Sequence, residues 1–190
     1  MRAGPVFAIL MLASVPAAVA APVPQKQVPQ KPENADALFA RLAKAQSPDE
    51  AKPVEEKLLL LFKASGSASV DLLMNRAEVA MAAHDEKMAR RIVDAVTAIA
   101  PDYAEGWHAR AALETEAGDD AAAMVSLQKT VALNPRQFNA LNELAGMLED
   151  YGDKTGALKL YRRALALNPQ LDGVGRHVQG LARQIEGRDI

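Results

Sequence analysis

Residues 132–135 read Ala132-Leu133-Asn134-Pro135, and the same string returns at Ala166-Leu167-Asn168-Pro169. Pro101 precedes Pro135 by the same interval, so Pro101, Pro135 and Pro169 are spaced 34 apart. Each proline closes an amphipathic run: Val93, Val96 and Ile99 before the first, Leu127, Val131 and Leu133 before the second, and Tyr161, Leu165 and Leu167 before the third. Proline ends a helix and biases the residue before it away from helical geometry. A fixed period of this length marks a repeat architecture in which each unit buries its apolar face against its neighbours.

Alignment on the prolines gives three units, 70–103, 104–137 and 138–171. Their fourth places hold Leu73, Trp107 and Leu141, large residues that insert between helices. Their eighth places hold Ala77, Ala111 and Ala145, and their twentieth Ala89, Ala123 and Ala157, small enough for two helices to approach closely. The fifteenth and sixteenth places are His84-Asp85, Gly118-Asp119 and Gly152-Asp153. A glycine there permits a left-handed C-cap and a tight turn between helices. Tyr103, Trp107, Phe138 and Tyr161 fall at core or junction places, so packing is the expected role of all four.

The period, the Trp, Ala, Gly-Asp and Pro places and their register resemble the tetratricopeptide repeat family over 70–171. His84 departs from the pattern by standing where the other units have glycine. The resemblance implies an all-α fold, an antiparallel helix-pair solenoid wound as a right-handed superhelix whose first helices line a concave groove. It also implies a binding module rather than an enzyme. Carried over by register, the groove places become Asp71, Met74, Glu78, Met81 and Ala82; Glu105, His108, Ala112, Thr115 and Glu116; and Asn139, Asn142, Gly146, Glu149 and Asp150. These places hold carboxylates and no Lys or Arg. The clamp by which some family members hold a C-terminal carboxylate needs those cations, so peptides of that chaperone type are not the implied ligand. Lys44, Arg176 and Arg183 are expected at the ends of the groove, and an acidic floor between basic rims favours a ligand with positive or amide groups. Asn139 and Asn142 can each donate and accept, which suits an extended peptide backbone, although a first-turn Asn is equally a helix cap.

The flanks read differently. Residues 1–20 have the layout of an export signal: Arg2, an apolar run from Val6 to Val15, and small residues at Ala18-Val19-Ala20, with cleavage expected before Ala21. The apolar run is short for a membrane span and Pro16 interrupts it. The expected location is periplasmic, with no membrane insertion after cleavage. Residues 21–34 carry Pro22, Pro24, Pro29 and Pro32 and read as an extended linker. One further period back, 36–69 reads as a degenerate repeat or capping pair: Ser47-Pro48-Asp49-Glu50 is a capping box, Leu58 to Phe62 fill a second helix, and Pro53 is expected to kink or restart it. At the other end, 172–190 reads as a capping helix with Val174, Val178, Leu181 and Ile185 on one face.

Composition narrows the chemistry. Aromatic residues make up 4% of the chain, which points to an alanine- and leucine-rich helical protein. A net charge of −2 disfavours non-specific nucleic-acid binding. With no cysteine there is no disulfide, thiolate metal site or Cys nucleophile. Met74, Met81 and Met88 recur every seven residues, but Met88 falls past the turn at His84, so the three do not define one face. Met74 and Met81 form a soft apolar patch instead. His84, His108 and His177 lack metal-ligand spacing. No phosphate-binding loop or hydrolase motif occurs, and no metal, cofactor or catalytic residue is expected. The sequence therefore reads as an exported, non-enzymatic adaptor holding a peptide or partner protein in its groove. The alternative is a self-assembling envelope scaffold, since exposed solenoid ends can stack.

Overall fold

A computed structural model describes residues 34–187. The expected export signal and cleavage point, all of the proline-rich segment but Asn34, and residues 188–190 lie outside the described residues. Among the described residues there are nine helices and no strand: α1 (Ala35–Leu42), α2 (Pro48–Lys63), α3 (Ala68–Ala82), α4 (Glu86–Ile99), α5 (Ala104–Glu116), α6 (Asp120–Leu133), α7 (Phe138–Asp150), α8 (Lys154–Leu167) and α9 (Val174–Glu186). The fold is an all-α helical-repeat solenoid. From α3 to α9 each helix packs on the next, and α4, α6 and α8 begin 34 residues apart.

The turns inside each pair share one device. His84, Gly118 and Gly152 all have positive φ, at 54°, 74° and 91°. The N–H groups of Asp85, Asp119 and Asp153 reach back to Ala80, Glu114 and Leu148, closing the orphan carbonyls of the first helix. The same aspartates then cap the second helix, accepting from the N–H of Met88, Ala122 and Gly156. One Gly-Asp pair thus ends one helix and starts the next. His84 adopts the left-handed geometry despite its side chain.

Packing follows the alanine places. Ala77, Ala89, Ala111, Ala123, Ala145 and Ala157 are all at most 1% exposed. At the third and tenth places, Gly106 and Leu113 face the preceding pair. A Cβ on Gly106 would stand 3.0 Å from Val96 Cγ1, and Leu113 joins Ala77, Ala80, Ala89 and Val93. The corresponding residues of α3, Leu72 and Val79, are 53% and 70% exposed. Among the described residues, nothing packs over this leading face of the stack. At the other end, Val174, Val178 and Leu181 of α9 close over Ala145, Ala157, Leu158 and Tyr161, with Ile185 at the margin.

The pair α1–α2 does not extend the stack by one more step. It lies along the loops that join successive pairs. The Tyr103 hydroxyl donates to the Lys63 carbonyl at 2.7 Å, and Phe62 packs on Phe39 and Phe138. Arg136 pairs with Asp36 and lies over the Phe39 ring. Asn168 donates to Glu55, and Gln170 Nε2 donates to the Ala45 carbonyl at 3.0 Å. Leu38, Phe39, Leu42, Val54, Leu58 and Phe138 share one core cluster, with Leu167 and Leu171 against it. One helix pair thereby braces three junctions. Ser47 caps α2 by accepting from Glu50 N–H, while Glu50 accepts from Gln46 N–H at 2.9 Å. α2 runs continuously through Pro53, contrary to the expected restart. Pro53 lies only five residues beyond Pro48, and it is exposed, so the lost bond falls on the solvent side.

Of the four aromatic residues expected to pack, Phe138, Tyr103 and Tyr161 are buried. Trp107 is partly buried. Its indole N–H donates to the Pro101 carbonyl, and Arg110 and Lys129 lie over its ring. The buried third place opposite α4 is taken by Gly106, and Trp107 lies beside that contact.

Candidate peptide-binding cleft

The first helices of the three pairs enclose a cleft of about 700 Å³. Met74, Glu78 and Met81 come from α3; Glu105, His108, Ala109, Ala112, Thr115 and Glu116 from α5; and Glu143, Gly146, Met147 and Asp150 from α7. Leu127 of α6 contributes to the floor, and Lys63 at the end of α2 forms one wall. Helical periodicity explains the set, because residues three or four apart share a face.

His108 is the electrostatic centre. Its Nε2 lies 2.9 Å from Glu143, and its Nδ1 lies 3.6 Å from Glu105. Burial pulls the imidazole pKa down. The hydrogen bonds and charges of Glu105 and Glu143 outweigh that and push it up to about 10. The Glu143 contact ties α5 to α7, the raised pKa favours the charged ring, and the Gln137 amide nitrogen also lies 3.3 Å from Nδ1. Gln137, fully buried, donates to Glu105 at 3.0 Å. Across the cleft, Lys63 Nζ meets Glu78 at 2.8 Å. Among the described residues no group of three or more His, Cys, Asp and Glu side chains is placed to hold a metal ion.

The residues expected by register divide into two groups. Met74, Glu78, Met81, Glu105 and His108 line the cleft, with Ala112, Thr115, Glu116, Gly146 and Asp150. Asp71, Ala82, Asn139, Asn142 and Glu149 do not. Asp71 accepts from the Ser65 hydroxyl at 2.6 Å and the Ser65 N–H at 2.9 Å, which hold its carboxyl below the usual range and fasten the α2–α3 turn. Asn139 sits in the first turn of α7, where its N–H is capped by Gln137 at 3.0 Å. Asn142 has a buried Oδ1 with no hydrogen-bond partner among the described residues. Glu149 turns towards the C-terminal cap, accepting from Tyr161 at 3.2 Å and His177 at 2.6 Å. Burial and the Glu149 charge push the Tyr161 hydroxyl up to about 12. Lys44, Arg176 and Arg183 are likewise absent from the lining.

Register missed Lys63, Ala109, Leu127, Glu143 and Met147. Ala109 and Glu143 occupy the sixth place and Met147 the tenth, so the cleft face is rotated slightly from the family's groove places. Helical spacing from Glu105 and Ala112 offered a signal for Ala109, and spacing from Gly146 and Asp150 one for Glu143 and Met147. Nothing in the local sequence signals Lys63, which arrives through the brace.

No family model matches the chain. A TPR repeat-containing protein of Rhizobium etli is 32% identical over 121 residues, which cover 63% of this chain and 59% of that protein. The chain thus spans less than two thirds of that curated relative's length. The Sgt2 TPR domain from Aspergillus fumigatus superposes with a TM-score of 0.55 at 23% identity, over 63% of this chain and 81% of that one. The first TPR of Spaghetti (RPAP3), bound to the HSP90 peptide SRMEEVD, gives 0.56 at 16% identity, over 62% and 93%. The fold is that of the tetratricopeptide repeats, and the relative's name supports the same family. Among the described residues, no helix is long and apolar enough to cross a membrane.

Proposed function

We propose that the chain is a non-enzymatic adaptor of the periplasm that holds a segment of a partner protein in the cleft between α3, α5 and α7. The observation that carries this reading is one continuous cleft of about 700 Å³ lined by the first helices of three successive pairs. A pocket of that size with apolar and polar walls suits a short peptide segment. The peptide in the RPAP3 complex, SRMEEVD, is acidic, whereas the cleft here is lined by carboxylates, so a different sequence class is held. The export-signal layout of residues 1–20 supports the periplasmic location. Capture from envelope extract tests the reading. Ala112 is exposed and lines the cleft, so Ala112→Trp fills the cleft without disturbing the core. A partner held by wild type and lost with Ala112→Trp supports the adaptor. Equal capture by both proteins sinks it.

A second reading, a self-assembling scaffold, is favoured by the exposed leading face at Leu72 and Val79. Sedimentation that stays monomeric at high concentration would end it.

A further inference from the structure

We propose that the cleft selects a cationic, apolar peptide segment, in which Lys or Arg alternates with aliphatic side chains; this rests on the reading of the cleft as a peptide site. The lining holds five carboxylates against two cations, Lys63 and His108. His108 is committed between Glu105 and Glu143. Glu78 is already met by an ammonium, that of Lys63, which belongs to the brace rather than to the repeats. The cleft therefore contains an intramolecular example of the group it would receive. Glu116 and Asp150 meet no cation among the described residues.

Glu116 and Asp150 end α5 and α7, and α3, α5 and α7 have no basic residue in their last turns. A helix C-terminus already carries partial negative charge, so carboxylates placed there oppose the macrodipole. They do not stabilise the helices that bear them. Together they make one end of the cleft a concentrated negative field facing water, which attracts and orients a cationic ligand. Met74, Met81 and Met147 supply the other half of the recognition, because flexible thioethers repack around varied aliphatic side chains. An incoming Lys or Arg would pair with Glu116 and Asp150 and compete with Lys63 for Glu78, while its apolar neighbours cover the methionines.

The test is fluorescence anisotropy with the full chain and a labelled eight-residue peptide of alternating Leu and Lys, against its Leu-Glu and Leu-Gln counterparts. The Leu-Lys peptide should bind, lose at least tenfold in affinity to the Glu116→Gln, Asp150→Gln protein, weaken as salt rises, and fail to bind Ala112→Trp. Both carboxylates are exposed, and matched thermal unfolding would verify that the double variant folds. Equal binding of the Leu-Glu or Leu-Gln peptide, lost in Ala112→Trp, overturns the charge class while leaving the cleft as a peptide site. Equal binding of the Leu-Lys peptide to Ala112→Trp overturns the proposal as surface attraction. Binding of none of the three also overturns it, and the adaptor reading then stands or falls on the capture experiment.

Discussion

His108 Nε2 lies 2.9 Å from Glu143 Oε2, so a side chain of the second repeat is bonded to one of the third across the floor of the cleft. Glu105, one turn before His108, flanks the other ring nitrogen at 3.6 Å. The ring is thus held between two carboxylates, with the Gln137 amide nitrogen 3.3 Å from Nδ1, and the Glu143 contact joins two repeats and shapes the cleft.

That contact makes stability depend on pH. The folded state raises the His108 pKa to about 10, so it binds the proton more tightly than the unfolded chain. The stabilisation is complete below the unfolded value of roughly 6.5 and is lost as pH rises towards about 10. Wild type should therefore lose stability relative to His108→Gln across that window in denaturant titrations. Parallel profiles for the two proteins would show that His108 does not carry this proton linkage.

Tyr103 fastens the brace. Tyr103→Phe removes the 2.7 Å bond to the Lys63 carbonyl and leaves the ring in place. We expect a loss of about 1 kcal/mol. Amide exchange should quicken at residues 60–64 more than in α5 to α8, because the end of α2 loses its anchor. Unchanged exchange at 60–64 would mean that the Phe62 packing alone holds the brace.

His84 stands in left-handed geometry at φ 54°. His84→Gly removes the Cβ crowding of that geometry and should stabilise the fold by about 1 kcal/mol, read as a higher denaturant midpoint. The greater unfolded-state freedom of glycine offsets part of this gain. A lower midpoint would mean that the His84 side chain contributes more than its backbone costs.

Two glycines on adjacent first helices should respond differently to the same change. A Cβ on Gly106 meets Val96 at 3.0 Å and Tyr103 at 3.3 Å, whereas one on Gly146 meets only the Tyr161 hydroxyl, at 3.6 Å. Gly106→Ala should cost about 1–3 kcal/mol by forcing α5 from α4. Gly146→Ala should be neutral or stabilising, because alanine favours a helix interior. Thermal unfolding of both variants checks the contrast, and equal effects would contradict the packing at Gly106.

The reach of the sequence shows most clearly at the turns. Gly118-Asp119 and Gly152-Asp153 could be read as helix-ending and helix-starting pairs because the rule acts within a few residues, and His84-Asp85 followed by register. The alanine places were legible for a similar reason, since the 34-residue period brings identical places into identical surroundings. The cleft was legible only where it follows the helix face: Glu78 and His108 could be placed, whereas Asp71 and Glu149 were drawn to Ser65, Tyr161 and His177. Those partners are set by how the turn and the cap pack, which periodicity does not contain.

The sequence by itself determined the helix pairs, their turns, their close packing and the acidic character of their first helices, because each depends on neighbours in the chain or one repeat away. Only the tertiary structure decided where α1–α2 lies. Its bonds run from Glu55 to Asn168 and from Ala45 to Gln170, more than a hundred residues apart in each case. No local propensity specifies such contacts. They exist because Leu38, Phe39, Leu42 and Leu58 find Phe138 to bury against, and that burial carries Lys63 to the cleft wall, where it pairs with Glu78.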